Sequence, residues 1–337
     1  MSARQGGDFE GGPQKAYIRQ HWDLPVLREL RNKKGRPLRY FGMPGPAIED
    51  VRDWSKELGF VTAIDLLRSG SHEEGDRERL RRLKHSLMEQ GIAYQVLRGF
   101  VEDVILRGYD IDGQQPVHRN ERDPTGILRF CYDIVNLDFL GGAGYRSKAV
   151  TGQPKRLTAI KELFRRQRGT EFVFLLTLNV RNTIDTAACE HLKQWRTRVD
   201  PTLQSAIDWY VWVNAGKTKY RLKAAILAFV QRMAEDEGFV VRCYPPVAYV
   251  GTANATMVHF VFRCEPTLDP FHSISSQSDD DLVRLPLLCF ESGVIQPELE
   301  QHTAFDWKHC HRAVADAPNG FGPSLQSFIE ERFTVTP

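Results

Sequence analysis

The fold is decided by the stretch Tyr132-Asp-Ile-Val-Asn-Leu-Asp-Phe-Leu-Gly-Gly142, a short apolar run that ends in polar residues and paired glycines. Asn136 and Asp138 are two residues apart, so on a β-strand their side chains face the same side and could converge on one ligand. In open α/β sheets the ligand lies in the crevice outside the carboxyl ends of the parallel strands. The stretch therefore predicts a strand that ends in a functional site. A buried strand that simply stops at a polar turn is an equally good interpretation.

Apolar runs alternate with amphipathic segments along most of the chain. Strands are predicted within residues 37–46 and over residues 60–65, 92–97, 128–137 and 172–179. Helices are predicted over residues 47–58, 73–90, 101–106, 157–168 and 220–236, and the segment 183–212 has a mainly helical pattern. Strands that alternate with helices predict a parallel sheet with helices on both faces.

Two further β runs, at residues 239–250 and 257–264, are joined by the short segment 251–256. So short a connection predicts an antiparallel hairpin, because a parallel pair needs a long crossover. The predicted organisation is a disordered tail over residues 1–14, an α/β domain over residues 15–266, and a C-terminal extension of loop and helices over residues 267–337. A helical insertion in the domain is predicted at about residues 183–218.

The composition is ordinary for a globular protein, with 42% hydrophobic and 26% charged residues in a chain of 337. A formal net charge of +2 gives no global electrostatic reason to expect a nucleic-acid partner. Two segments are locally basic, residues 28–39 and 155–168. Such runs are usually solvated faces; the alternative is that they contact phosphates.

The six cysteines show no C-x-x-C spacing, and Cys131, Cys243 and Cys264 lie in apolar runs, as small buried hydrophobic residues do. We therefore expect reduced thiols and a cytoplasmic protein. No apolar run is long enough to cross a membrane, so no membrane association is predicted. His302, His309, Cys310 and His311 fit no standard zinc ligand set, so no metal site is predicted.

Over residues 37–266 this order of elements resembles the class I S-adenosylmethionine-dependent methyltransferases, which have five parallel strands, then a helix and a final antiparallel pair. The final hairpin distinguishes them from ordinary dinucleotide-binding domains. The resemblance implies a Rossmann-like, seven-stranded, mostly parallel sheet that ends in an antiparallel hairpin, and S-adenosylmethionine as the cofactor.

The resemblance also implies where the cofactor would bind. The glycine loop after the first strand would lie against its amino-acid end, an acid after the second strand would bind the ribose, and residues after the third strand would line the adenine site. The residues at these positions are Gly42, Pro44, Gly45, Asp65, Gly99 and Phe100. The glycines could instead serve an ordinary tight turn, and the acid could be a helix N-cap.

The end of the fourth strand is similar to the Asp-x-Asp-Pro-Phe/Tyr-Gly motif of the tRNA guanine-N2 dimethyltransferases and the three-Cys-motif partner proteins. This likeness implies methyl transfer to a nucleic-acid base amine. Asn136 and Asp138 would hold the amine protons and Phe139 would stack on the base, although a phenylalanine in this position is more often part of the core. The basic segments 28–39 and 155–168 would contact phosphates.

One departure from the family pattern is that Arg39, Tyr40 and Phe41 stand where the first strand usually ends in an acid. The departure favours an alternative function, a catalytically inactive methyltransferase-like fold that binds nucleic acid or a protein partner. A Rossmann-like enzyme with a nucleotide cofactor is a third hypothesis, supported only by the spacing of Gly42 and Gly45.

Overall fold

The computed structural model describes residues 12–65, 73–113, 115–117, 121–122, 128–139, 155–180, 218–251, 255–267, 287–291 and 294–297. The predictions for residues 1–11, for the helical insertion up to residue 217, for most of the C-terminal extension and for His302, His309, Cys310 and His311 lie outside the described residues.

Seven α-helices and twelve strands are formed by the described residues. The helices are α1 (Pro13–Ile18), α2 (Leu24–Lys34), α3 (Glu49–Asp53), α4 (Glu73–Glu89), α5 (Val101–Arg107), α6 (Lys155–Gln167) and α7 (Thr218–Asp236), with a π-helical turn (Arg19–Asp23) between α1 and α2. The strands are β1 (Leu38–Gly42), β2 (Leu58–Asp65), β3 (Ala93–Arg98), β4 (Glu121–Arg122), β5 (Leu128–Arg129), β6 (Ile134–Asp138), β7 (Phe172–Asn179), β8 (Phe239–Cys243), β9 (Val247–Val250), β10 (Thr256–Pro266), β11 (Leu288–Glu291) and β12 (Val294–Pro297).

The main sheet confirms the predicted fold class. Its strand order is β3-β2-β1-β6-β7-β10-β9-β11-β12, and β8 also pairs with β10. Strands β3, β2, β1, β6 and β7 are parallel to one another, whereas β10 runs antiparallel to β7, β8 and β9. Because β8 and β9 pair with successive parts of β10, they fill one position, and the predicted seven positions are present. Strands β11 and β12 extend the sheet to ten strands.

Apolar packing on both faces explains why the central strands are continuously hydrophobic. On one face, side chains such as Val104 of α5, Leu163 of α6 and Val230 of α7 form a buried cluster. On the other face, side chains such as Leu27 of α2 and Leu83 of α4 form a second cluster. The sheet is therefore the middle layer of three, as the alternation of elements predicts.

The helix predicted over residues 47–58 was too long, because only Glu49–Asp53 is helical. Leu58 already pairs with Leu38 of β1, so Gly59 lies in a strand and does not end a helix. The Trp54 indole donates a hydrogen bond to the carbonyl of Arg19 at 3.2 Å. Tertiary contacts therefore fix the turn between α3 and β2, and the helical spacing of its apolar residues was misleading.

The fourth predicted strand begins later than expected, at Ile134. Its predicted start, Leu128–Arg129, pairs instead with Glu121–Arg122 in a separate two-stranded sheet. Between them the Gln167 side chain binds both backbone groups of Tyr132, the N–H at 3.1 Å and the carbonyl at 2.8 Å. These bonds take Tyr132 out of the strand ladder, although its side chain is apolar enough for a strand.

Both ends of the described chain also differ from prediction. Helix α1 begins at Pro13, inside the predicted disordered tail, and β11 and β12 lie where loop and helices were predicted. Cys243 and Cys264 are buried free thiols as expected, whereas Cys131 is half-buried. Within the described ranges, no helix has the length and hydropathy needed to cross a bilayer.

Candidate active site at the carboxyl edge of the sheet

The sheet register brings the predicted site residues to one edge. Gly42, the last residue of β1, pairs with Asn136 of β6 on one side and with Ala63 of β2 on the other. Asp65, the last residue of β2, pairs with Arg98 at the end of β3. The four strand ends expected to meet therefore do meet.

The glycine loop that follows β1 contains one glycine required by packing and one required by conformation. A Cβ atom on Gly42 would lie 2.5 Å from both the carbonyl oxygen of Asn136 and the hydroxyl of Tyr40, so no side chain fits there. Gly45 has φ +65°, and nothing lies within 4 Å of where its Cβ would be. The loop thus leaves open space beside Gly45, next to the half-buried Pro44.

Directly after this loop, Ile48 has φ 45° and ψ 37°, a left-handed conformation that is costly for a β-branched residue. It is the one non-glycine residue with positive φ in the part of the chain that the structure describes. Ile48 is fully buried and precedes the first residue of α3. The strained turn sets the position of α3, which carries Asp50.

Asp65 lies at the predicted position but has a neighbour that the sequence did not suggest. Its side chain is only 1% exposed, and Arg79 of α4 places Nε 2.8 Å from its Oδ1. The backbone carbonyl of Asp65 accepts a hydrogen bond from Gly99 N–H at 3.0 Å. A ligand hydroxyl that binds this carboxylate would share it with Arg79.

An exposed apolar surface lies beside the end of β3. Phe100 is 38% exposed and Ile111 is 41% exposed, which is unusual for side chains of this size among the described residues. They flank Gly99, whose Cβ, if present, would lie 3.3 Å from Cβ of Ile111. Lys155 of α6 places Nζ 5.7 Å from the centroid of the Phe100 ring.

At the end of β6, Asn136 belongs to a buried polar network with Tyr40 and Asp50. Asn136 Nδ2 donates to Asp50 Oδ2 at 2.9 Å and lies 3.4 Å from the Tyr40 hydroxyl. The Tyr40 hydroxyl donates to the same carboxylate oxygen at 2.5 Å. Sequence reasoning missed Tyr40 and Asp50, since neither belongs to a recognisable motif.

Burial controls the ionisation of this network. Burial raises the pKa of Asp50 above its ordinary value, and the hydrogen bond from Tyr40 offsets part of the effect. Burial and the nearby Asp50 carboxylate raise the pKa of Tyr40 well above its ordinary value. The Tyr40 hydroxyl therefore keeps its proton and acts as a donor.

Asp138 faces the same side as Asn136 and is covered by the N-terminal helix. Lys15 of α1 forms an ion pair with Asp138 through Nζ and Oδ2. Burial opposes the charge on Lys15, but attraction to Asp138 outweighs it, so the pKa of Lys15 is raised. Lys15 was not predicted as a site residue, because its partner is 123 residues away in sequence.

Phe139 does not lie where stacking on a base requires it. Its side chain is 4% exposed and packs in the core, with the guanidinium carbon of Arg156 3.8 Å from the ring centroid. The reason is strand alternation: a residue adjacent to Asp138 faces the opposite side of the sheet. Of the two interpretations of Phe139, stacking on a base and packing in the core, its burial favours the core.

A second polar row lies next to Asp138 on the same face of the sheet. His259 of β10 pairs with Thr177 of β7 through Nδ1 and Oγ1 at 2.8 Å. Its Nε2 lies 2.8 Å from Oδ1 of Asp23 in the π-helical turn. All three side chains are buried, so this row attaches the N-terminal helices to the sheet.

The two basic segments differ from free phosphate-binding patches, because most of their cations pair with carboxylates of this chain. Arg36 binds Asp133 at 2.7 Å, and Arg156 binds Glu102 at 3.1 Å. The other pairs are Arg28–Glu57, Arg31–Glu57, Lys33–Glu171, Lys33–Glu265, Lys34–Asp133, Lys155–Asp103, Arg165–Glu162, Arg166–Glu162 and Arg168–Glu237. No group of three or more potential metal ligands occurs among the residues that the structure covers.

No protein-family model matches the chain, and no curated protein matches it. Among solved structures, it is similar to Trm1 from Pyrococcus horikoshii in complex with S-adenosyl-L-methionine, with TM-score 0.42, 10% identity, and coverage of 80% of this chain and 60% of that chain. It is also similar to the methyltransferase domain of bacterial CtHen1-C, with TM-score 0.34, 12% identity, and coverage of 73% and 97%. A third similar structure is cofactor-bound Rv0187 from MTB, with TM-score 0.33, 12% identity, and coverage of 71% of this chain and 78% of that chain.

These similarities are distant, and they do not identify a substrate. In the sheet, five parallel strands in the order β3-β2-β1-β6-β7 are followed by β10, which is antiparallel to β7. The position beyond β10 is shared by β8 and β9, which precede β10 in the chain. This protein therefore has the fold of the class I S-adenosylmethionine-dependent methyltransferases.

Proposed function

We propose that this protein transfers a methyl group from S-adenosylmethionine to an amine nitrogen, and that the acceptor is the exocyclic amine of a nucleic-acid base. One observation carries the proposal. Gly42 and Asn136 are partners in the sheet, and Asp138 lies on the same face as Asn136. Two oxygen-bearing side chains thus stand beside the loop proposed to hold the methyl donor.

The residues present fit the proposed cofactor at three positions. Beside Gly45 there is open space for a ligand to approach the backbone, and Asp65 can accept hydrogen bonds from ribose hydroxyls. The exposed faces of Phe100 and Ile111 offer an apolar surface for an adenine ring. The fourth position departs from the family, because Tyr40 and Phe41 are buried where an acid would be expected.

When bound, S-adenosylmethionine supplies an activated methyl group, so the protein has mainly to position the acceptor. The Oδ1 atom of Asn136 and the carboxylate of Asp138 are suited to accept the two protons of an amine. Held in this way, the nitrogen directs its lone pair at the methyl carbon, and Asp138 can take the proton that the amine loses. The acceptor amine has to displace the ammonium of Lys15 from Asp138.

The ion pairs of the two basic segments do not prevent these segments from binding nucleic acid. Several of their cations are at the surface, such as Arg28 with a side chain 58% exposed and Arg168 with 52%. Surface ion pairs are worth about 0–1 kcal/mol, so phosphates can compete for these cations. Affinity for nucleic acid should then fall steeply with salt, and a paired target base would have to be flipped out first.

Isothermal titration calorimetry with S-adenosylmethionine tests the donor half of the proposal. We expect binding by the wild-type protein and clearly weaker binding by Asp65→Ala. Transfer of a labelled methyl group to single-stranded oligoribonucleotides tests the acceptor half, and Asp138→Asn should abolish it. An absence of heat at millimolar ligand would count heavily against the proposal.

A second candidate function is an inactive methyltransferase-like fold that binds nucleic acid or a protein. It is favoured by the absence of an acid at the end of β1 and by the ion pair that Arg79 forms with Asp65. This candidate predicts nucleic-acid or protein binding that does not change in Asp65→Ala, and no heat with S-adenosylmethionine. The same calorimetry therefore separates the two functions.

A further inference from the structure

The side chain of Asn136 is held at one end by the protein itself. Its Nδ2 donates to Asp50 at 2.9 Å. An ionised carboxylate can only accept hydrogen bonds, so the amide cannot be reversed without placing two acceptors against each other. The carboxylate therefore determines which end of the amide points away from the network.

The Asp50 carboxylate is itself fixed at both oxygens. Its Oδ1 accepts from the Val51 N–H at 2.9 Å, and its Oδ2 accepts from both Tyr40 and Asn136. With both oxygens engaged, the carboxylate cannot rotate without losing bonds. The pair of Tyr40 and Asp50 thus forms a rigid support behind Asn136.

Two unusual backbone features make this support possible. The hydroxyl of Tyr40 occupies space that any side chain on Gly42 would fill, and the left-handed Ile48 leads into the short helix that carries Asp50. Strained residues of this kind are retained where the surrounding structure needs them. Here the strain and the missing Cβ both serve the position of one amide group.

We infer that Asp50 and Tyr40 are positioning residues that hold Asn136 with Nδ2 inward and Oδ1 toward the acceptor amine. The inference rests on the proposed function, because it gives Asn136 a role toward an acceptor. It adds two residues, Tyr40 and Asp50, that would act through Asn136. It also explains why an asparagine is suited to this position, since an aspartate in its place would face Asp50 with no proton to donate.

The matched pair of variants is Asp50→Asn and Asp53→Asn. Both change one carboxylate of α3 to an amide, but Asp53 pairs with Arg19 at 2.6 Å, whereas Asp50 is bound to Asn136. The first measurement is the nuclear magnetic resonance signal of the Asn136 side-chain amide in the full chain without ligand. We expect the signal to shift in Asp50→Asn, to shift less in Tyr40→Phe, and to stay unchanged in Asp53→Asn.

The second measurement is methyl transfer from S-adenosylmethionine to single-stranded oligoribonucleotides. We expect Asp50→Asn to lower kcat about tenfold, as the loss of one hydrogen bond to a charged group does, with an unchanged KM for S-adenosylmethionine. In an Asn136→Ala background, Asp50→Asn should cause no further loss, because residues that act through one another are not additive. A purely structural role would give additive losses.

The outcomes separate this inference from the proposed function. The inference alone is overturned if the wild-type protein is active but Asp50→Asn does not move the Asn136 amide signal. It is also overturned if the losses of kcat caused by Asp50→Asn and Asn136→Ala multiply in the double variant. A wild-type protein that neither binds S-adenosylmethionine nor transfers methyl groups would overturn the proposed function and with it the role toward an acceptor. The amide signal would still report whether Asp50 orients Asn136.

Discussion

At the residue scale, the site combines predicted groups with partners that no sequence pattern announces. The strand-end positions of Asn136 and Asp138 followed from the two-residue period of a strand, a local property. Their partners Asp50 and Lys15 lie 86 and 123 residues away in sequence. Such contacts depend on how a short helix and the N-terminal helices dock on the sheet, which the local pattern does not contain.

Asp50 gives a prediction about stability and pH. Burial, offset in part by Tyr40 and by the more distant charges of Arg19 and Lys15, raises the pKa of Asp50 in the folded state. At pH values between the unfolded and the folded pKa, the folded protein holds a proton that the unfolded chain has lost, and above the folded pKa the carboxylate is ionised as in the network with Asn136. This contribution to stability is therefore complete below the unfolded pKa and is lost as pH rises through the folded pKa. The stability of Asp50→Asn relative to wild type should therefore increase as pH rises above the ordinary pKa of an aspartate and level off above the folded pKa.

Urea unfolding of both proteins at several pH values measures this difference. Asp53→Asn is the control, because its carboxylate is part of an ion pair with Arg19. A difference between Asp50→Asn and wild type that does not change with pH would show that the Asp50 carboxyl titrates normally. If the variant is also less active than wild type, stability and function are opposed at this residue.

Lys15 gives a prediction about the acceptor. Because its ammonium pairs with Asp138, an acceptor amine has to compete with a group tethered to the same chain. Lys15→Met should therefore raise kcat/KM for oligoribonucleotide acceptors, by about tenfold if one charged hydrogen bond no longer has to be broken. Lys84→Met, which changes an exposed lysine of α4 outside both basic segments, is the control. Equal rates in the two variants would contradict the idea that Lys15 competes with the acceptor.

At the element scale, strands were predicted better than short helices and turns. The predicted bounds of β7 match the structure because a long apolar run has few alternatives. The helix over residues 47–58 was overestimated because its apolar spacing is satisfied by a turn. For Phe139, the two-residue alternation that places Asn136 and Asp138 together favours the core role over stacking on a base, because a neighbouring residue faces the opposite side.

The N-terminal helices give the prediction at this scale. The buried carboxylate of Asp23, in the π-helical turn between α1 and α2, has His259 as its partner. His259→Phe would leave the Asp23 carboxylate buried without that partner, which costs about 1–3 kcal/mol or more for a charged group. We expect faster amide hydrogen exchange in α1 and α2 and little change in α5 and α6.

Hydrogen exchange followed by mass spectrometry resolves these segments. His85→Phe, which changes a histidine on α4 whose side chain is 64% exposed, is the matched control. Faster exchange throughout the chain in His259→Phe would mean that the row of Thr177, His259 and Asp23 supports the whole sheet. If exchange becomes faster only in α1 and α2, these helices can detach from the sheet without unfolding the rest of the chain, and their detachment uncovers Asp138.

At the scale of the whole molecule, the order of strands and helices was sufficient to predict the sheet. Chain order could not show that β8 and β9 are separate strands sharing one partner, because residues 239–250 read as one mainly apolar run, in which Pro245 and Pro246 separate the two strands. Nor could it show that β11 joins the sheet beside β9, since this parallel pair is short and its sequence has no strong period. The β8–β9 position and β11 lie at the end of the strand order opposite to β1, β2 and β3, where the cofactor is proposed to bind.

Cofactor binding should be visible in the stability of the entire fold, because a ligand that binds only the folded state stabilises it by mass action. At a ligand concentration of about 100 times Kd the gain is about 2.7 kcal/mol, which corresponds to a rise in Tm of roughly 5–10 °C for a domain of this size. We expect this shift with S-adenosylhomocysteine in the wild-type protein and a much smaller one in Asp65→Ala, measured by thermal unfolding. Glu78→Ala, on the exposed face of α4, should keep the full shift, since its partner is Arg81. Equal shifts in wild type and Asp65→Ala would place the ligand somewhere other than the ends of β1, β2 and β3.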